Sequence, residues 1–433
     1  MEVVAITKDS IDIGKERVLT ILSLFPLCLI ILAFIFDNPK NIYKGLYRIV
    51  VSPDILLTDY ISVGGIGATF INAGVLTLVN IFIIWKLKLK VNGALIASVF
   101  TIMAFSFIGK NLFNVWPIYL GGYLYVKYQQ INFKNIVVIM MFSTALAPVV
   151  SEISFGLHVS IKLGLPIGIL FGILIGFVIT PLSSHLIKVH DGYNLYNIGF
   201  TAGLIGSIIT SVLRGFGLII KSTEILSTEY DSFLKLLLIS CFILLIFLGY
   251  YINGKSFKGY KNVLHYSGKT VTDFTQLCGY GITFINMGIM GLIGIAYVVI
   301  SKGIVNGPIT AGILTMVGFA AFGKHPRNAI PILIGVFIAA NIKIWDPCST
   351  VVIIGALFGT TLAPVAGAYG PLAGILAGFL HLSVVMNIGV VHGGLNLYNN
   401  GFSGGVVAAI VVPLIEAFKK GDYPNEKRAK KNL

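Results

Sequence analysis

Two asparagine pairs carry the chemistry most open to question. Asn194 with Asn197, and Asn396 with Asn399, lie in stretches the chain spells twice: HDGYNLYNIGFTAG at 190–203 and HGGLNLYNNGFSGG at 392–405, identical at nine of fourteen positions. Each stretch enters a long apolar run, where an amide is costly unless something satisfies it. On a helix, a spacing of three puts both amides of a pair on one face. The four asparagines therefore read as the lining of a polar path or binding site, with the hydroxyls of Tyr196 and Tyr398 as further donors. The competing reading is adhesion between helices, through Asn and Tyr hydrogen bonds beside glycines that allow close approach.

A second repeated element is GATFINAG at 67–74 and GITFINMG at 281–288. Thr69 and Asn72, like Thr283 and Asn286, are three apart on one face. The glycines before them, with Asp59 or Asp273 some ten residues back, predict a broken or unwound helix entry. Such entries are where transporters hold small solutes and ions; a glycine-rich packing face is the plainer alternative. These four residues join the asparagines and tyrosines as candidate substrate-binding positions. The third element is the pair of turns GKNLFNVWP at 109–117 and GKHPRNAIP at 323–331. Lys110, Lys324 and Arg327 are expected to be loop charges on opposite membrane sides. In a re-entrant arrangement they would sit within the protein and attract an anion.

The elements that must position these residues are membrane helices. The chain has 433 residues, of which 56% are hydrophobic and 11% charged, and its mean hydropathy is +0.91. That excludes a soluble domain. The net charge of +14 falls in short loops and the tail, the pattern of a multi-pass protein and not of a nucleic-acid binder. Four cysteines without CxxC spacing, and histidines without ligand spacing, predict neither disulfides, metal nor cofactor. The absence of a Walker loop, GxSxG and HExxH leaves enzymatic function without support.

The chain is a duplication. TDYISVGGIGATFINAGVL at 58–76 aligns without a gap on TDFTQLCGYGITFINMGIM at 272–290, an offset of 214 that also pairs Gly109-Lys110 with Gly323-Lys324. The offset becomes 216 at Ala147-Pro148 and 202 at the asparagine stretches. Each copy holds about seven apolar segments: roughly 17–36, 61–86, 93–108, 112–126, 136–150, 165–186 and 198–220, then 233–251, 275–301, 307–322, 329–342, 349–366, 371–390 and 398–418. The third and fourth of each copy are short for a bilayer, so a copy has seven spans or five spans plus a re-entrant hairpin. An odd repeat inverts the second copy relative to the first. With the amino terminus inside and every segment crossing, 21 of the 31 Lys and Arg fall inside, so both termini are expected in the cytoplasm. The division expected is a cytoplasmic segment 1–16, membrane repeats 17–229 and 230–418, and a basic cytoplasmic tail 419–433.

The TFINxG and NLYNxGFxxG motifs, with VNG and GK, resemble an uncharacterised bacterial multi-pass membrane family filed as domain of unknown function 1576. That resemblance covers nearly the whole chain and implies no activity. A more distant similarity is to the urea transporter fold, whose two inverted halves each have five spans and a re-entrant element; its Tyr-Gly-(Phe/Tyr)-Asn-Gly pattern is loosely echoed in LYNIGFTAG and LYNNGFSGG. The Leu-Pro and Pro-Phe signature of that family is missing, so no site residue transfers from it.

The sequence thus predicts an all-α polytopic membrane protein of two inverted repeats in the cytoplasmic membrane. The expected function is passive or weakly coupled movement of a small polar or anionic solute, the scarcity of buried carboxylates arguing against coupling. A lipid-handling protein or membrane-embedded enzyme is the alternative. Expected partners are the solute, membrane lipids and, in a homo-oligomer, further copies of the chain.

Overall fold

The computed structural model describes residues 14–55, 57–157, 159–220, 224–270 and 272–418; the first thirteen residues and the tail 419–433 lie outside them. The first copy builds α1 (Lys15–Phe36), α2 (Pro39–Val51), α3 (Tyr60–Gly64), α4 (Ile66–Lys86), α5 (Gly93–Phe105), α6 (Trp116–Tyr128), α7 (Val137–Ser143), α8 (Ala147–Ser151), α9 (Ile161–Leu186) and α10 (Asn197–Gly215). The second builds α11 (Asp231–Ile252), α12 (Tyr260–Val263), α13 (Phe274–Leu277), α14 (Gly279–Ile300), α15 (Gly307–Gly318), α16 (Pro326–Ile342), α17 (Thr350–Gly359), α18 (Ala363–Tyr369), α19 (Pro371–Ile388) and α20 (Asn399–Phe418). The described residues contain no β-sheet. Ten helical stretches among them are long and apolar enough to cross a membrane, with α7–α8 and α17–α18 each running on as one span.

All fourteen apolar segments read from the sequence fall on helices. The one substantial helix that reading missed is α2, because it is amphipathic: Ile42, Gly45 and Ile49 point inward at helical spacing while Tyr43 and Tyr47 stay exposed. Asn38 caps it and Pro39 opens it.

Packing recurs between the copies. α1 lies on α4 and α11 on α14; α6 lies on α9 and α16 on α19. The last two contacts use matched glycines: a Cβ at Gly121 would run into the Ile173 carbonyl, and one at Gly335 into the Ile375 carbonyl. Without water as a driving force, such close backbone approach gives packing and dispersion energy that bulkier residues would forfeit. Contacts between the copies join α5 to α15 and α10 to α20 at the centre.

Exposure separates an outer ring from this centre. Ile31, Ile35, Leu163, Leu236, Phe247 and Leu372 on α1, α9, α11 and α19 are exposed, whereas almost every residue of α5, α15 and α17 is buried. An apolar skin around a core that holds the polar side chains is the arrangement a lipid solvent demands.

Candidate functional site

The broken entries exist as expected. Asp59 caps α3, the chain turns at Gly65 with φ of 90°, and α4 begins; Asp273 caps α13, Gly279 turns with φ of 80°, and α14 begins. The threonines repair the breaks, Thr69 Oγ1 donating to the Gly65 carbonyl at 2.9 Å and Thr283 Oγ1 to that of Gly279 at 2.8 Å. The asparagines one turn on reach further. Asn72 Nδ2 donates to the carbonyls of Ser106 and Lys110, both at 2.8 Å, and Asn286 Nδ2 to those of Ala320 and Lys324, both at 2.8 Å. These four side chains are fully buried and stand off the central cavity described below. The two asparagines hold the Gly-Lys turns in place.

Each aspartate also crosses to the other copy. Asp59 Oδ2 accepts from the Gly307 amide at 3.1 Å, and Asp273 Oδ1 from the Gly93 amide at 3.1 Å. Those amides open α15 and α5, where the free N–H groups and helix dipole favour a carboxylate. The carboxylates at 59 and 273 are therefore occupied as reciprocal caps.

The Gly-Lys turns overturn the loop expectation for two of their three charges. Lys110 and Lys324 are both wholly buried, and only Arg327 is exposed. α5 and α6, 13 residues each, are about 20 Å long. That falls short of a bilayer's hydrocarbon thickness, so the turn between them lies inside the protein. Asn114 and Asn328 close the turns, donating to the carbonyls of Gly109 and Gly323 at 3.0 and 2.9 Å. Lys110 Nζ donates to Tyr398 Oη at 2.8 Å; Lys324 Nζ donates to Tyr196 Oη at 2.6 Å and to Thr360 Oγ1 at 2.7 Å. Each lysine thus meets the tyrosine of the other copy's asparagine stretch.

In those stretches the helix starts later than the sequence suggested. α10 begins at Asn197 and α20 at Asn399, so Asn194 and Asn396 precede the helices and do not share a face with their partners. Asn194 Nδ2 donates to the Gly401 carbonyl at 2.9 Å, and Asn396 Nδ2 to the Gly199 carbonyl at 3.1 Å. The exchange is reciprocal, as across a two-fold contact. Glycine is required there: a Cβ at Gly401 would lie 3.0 Å from Gly199 Cα. Asn197 and Asn399 instead tie back to the preceding helix, bonding the carbonyls of Ser183 and Val385 and the imidazoles of His190 and His392.

A cavity of about 440 Å³ lies where the copies meet. Of the ten candidate residues, Tyr196, Tyr398 and Asn197 line it, and Asn194, Asn396, Asn399, Thr69, Asn72, Thr283 and Asn286 do not. Its inner wall is built of equivalent residues from both copies: Thr101 with Thr315, Phe105 with Phe319, and Phe142 with Phe358. Sequence reasoning missed all of these, since threonine and phenylalanine are ordinary in membrane helices. The register linking them was nonetheless in hand.

Carboxylates are also less scarce in the interior than the sequence implied. Asp54 is wholly buried, its Oδ2 accepting from Asn111 and Asn114 amides and the Ser151 hydroxyl, and Glu152 is 5% exposed in a π-helical turn. Hydropathy placed Glu152 near a segment end and left Asp54 outside the segments, and that argument against coupling lapses.

The fold and this buried polar centre define an all-α polytopic membrane protein. The chain belongs to the family described as a protein of unknown function, DUF1576, which matches residues 38–215 and 252–417, one stretch in each copy. No curated protein and no solved structure matches it, so the likeness to the urea transporter fold rests on the sequence motifs alone.

Proposed function

We propose that the protein moves a small polar or anionic solute across the cytoplasmic membrane by exposing the central cavity to one side and then the other. The observation that carries this reading is that the cavity has symmetric contents and a one-sided mouth. Of the residues that line it, Ala94, Val138 and Asn197 are partly exposed and Ser184 is exposed, and these form the mouth. Their counterparts in the other copy are less exposed: Pro308, Ile354 and Asn399 are buried and Met386 is partly so. If the copies are inverted, as the odd segment count and the charge distribution imply, exchanging their conformations closes this mouth and opens an equivalent one at the opposite face. Two arrangements of similar energy are natural for a duplicated chain.

The test is accessibility combined with flux. Cys28, Cys241, Cys278 and Cys348 are first replaced, and Ser184→Cys or Ile354→Cys is introduced in proteoliposomes. A membrane-impermeant maleimide should label the first at rest and not the second. A panel of urea, small amides, polyols, inorganic anions and carboxylates is then offered while tracer entry is followed. A transported solute should expose position 354 and slow labelling at 184. Fixed accessibility with no flux for any solute, from folded protein, would overturn the proposal.

A further inference from the structure

We infer that the cavity is a site for an organic monocarboxylate, its carboxylate held by the Tyr398 hydroxyl, with Lys110 and Lys324 behind the two tyrosines that line it. This deepens the transport reading and uses the same cavity.

The first argument is charge. The ion pairs among the described residues are Lys235–Asp231 and Lys269–Asp191, both at the periphery. Lys110 and Lys324 have none. Taking an ammonium out of water without a counter-ion costs several kcal/mol, and the chain does so twice, at matching places, toward one cavity. Ring faces offset part of the cost: Lys110 Nζ lies 5.0 and 5.3 Å from the centroids of Tyr398 and Phe105, and Lys324 Nζ 4.5 and 5.4 Å from those of Tyr196 and Phe319. A ligand anion supplies the missing charge. The same two ammonium groups repel a cation.

The second argument is the direction of the hydrogen bonds. Lysine has only donors, so each phenol oxygen accepts; the Tyr196 hydroxyl also meets the Thr360 side chain, whereas that of Tyr398 keeps its hydrogen to give. A hydroxyl that accepts from an ammonium is polarised into a stronger donor. Tyr398 Oη has no hydrogen-bond partner besides Lys110 among the described residues, and its ring lines the cavity. A carboxylate in the cavity is the acceptor this arrangement lacks. Thr315 adds to it: its Oγ1 is buried without a partner on the same wall, whereas its counterpart Thr101 is bonded to the Ala97 carbonyl.

The third argument is the rest of the wall, which is mostly hydrocarbon. Tyr398 and Phe105 centroids are 4.6 Å apart, Phe105 and Phe358 5.3 Å, and Tyr196 and Phe319 4.6 Å. An inorganic anion would give up its water to a surface with few donors and leave these rings unmatched. An acid with an aliphatic or aromatic body satisfies both parts, few polar anchors and much apolar contact being the usual make-up of a ligand pocket.

The test is calorimetric binding to the purified full-length protein in detergent. Benzoate and butyrate are the probes; benzamide, the neutral counterpart, and chloride are the controls. Benzoate should bind at least tenfold more tightly than benzamide or chloride. Lys110→Met, Lys324→Met and the milder Tyr398→Phe should each weaken benzoate at least tenfold while eluting as folded protein. Benzamide matching benzoate, no carboxylate binding at all, or full affinity in Tyr398→Phe and whichever lysine variants fold would overturn the site. The two readings fail separately. Carboxylate binding with no flux of any solute overturns transport and leaves the site; flux of a neutral solute unchanged by the lysine variants, without carboxylate binding, does the reverse.

Discussion

Replacing Lys110 or Lys324 by methionine should stabilise the empty protein. Methionine fills nearly the same volume without a charge, and exchanging buried ionic groups for apolar ones of similar size is often neutral or favourable by roughly 1–4 kcal/mol. At Lys324 the loss includes two hydrogen bonds, each worth about 1 kcal/mol net, and contacts with two ring faces worth about 1 kcal/mol more. At Lys110 only one hydrogen bond is lost. Against these stands a desolvation cost of several kcal/mol per ion. The expected gain is therefore about 1–2 kcal/mol at Lys324 and about 1 kcal/mol more at Lys110. For a chain of 433 residues each kcal/mol moves the midpoint by roughly 1–2 °C, extrapolating the size trend. Thermal unfolding read by the fluorescence of Trp85, Trp116 and Trp345 gives the ranking: Lys110→Met above Lys324→Met above the unaltered protein. A lowered midpoint in both variants would refute the reasoning and mark the lysines as structural. The gain should shrink by at least about 1.4 kcal/mol when saturating benzoate is added, because the unaltered protein binds it at least tenfold more tightly.

The remaining predictions concern the scaffold and the cavity wall. Asp273→Ala and Asp59→Ala each remove a cap from a helix of the other copy and should cost about 1–2 kcal/mol, seen as a lower unfolding midpoint in detergent. Asn194→Leu and Asn396→Leu leave the Gly401 and Gly199 carbonyls unpaired and should cost about 1–3 kcal/mol each; flux per folded molecule should change less than the yield of folded protein. Gly401→Val drives side-chain atoms into Tyr196 and Gly199 and should abolish the monodisperse elution peak. Thr315→Val removes a buried hydroxyl that has no partner, so the midpoint should hold or rise while benzoate affinity falls several-fold.

Much of the framework was legible in the sequence because the chain writes it twice. Matching TFIN and NLYN stretches located the broken entries and the paired crossing, and the 214 register links Lys110 with Lys324. What was not legible depends on partners far away in sequence. Asn194 finds its acceptor 207 residues on, and Lys110 its tyrosine 288 residues on. Hydropathy sees a lysine between two apolar segments and cannot distinguish a surface loop from a turn folded into the core. The shortness of both flanking segments was the available signal. Similarly, Asn194 to Asn197 spacing suggested one helical face only because the helix start, fixed by docking of Leu195 on the Thr361 carbonyl, is a tertiary fact.

The reciprocal aspartate caps have a consequence for biosynthesis. The amide that opens α5 receives its carboxylate from a residue 180 positions later. At a synthesis rate of about 5–20 residues per second that partner appears roughly 9–36 s afterwards. During that interval the first copy has only the local Asn92 cap on α5, with the Gly93 amide unpaired and the seat for α15 empty. A stalled or truncated chain would be held in this state, a ready substrate for membrane quality control.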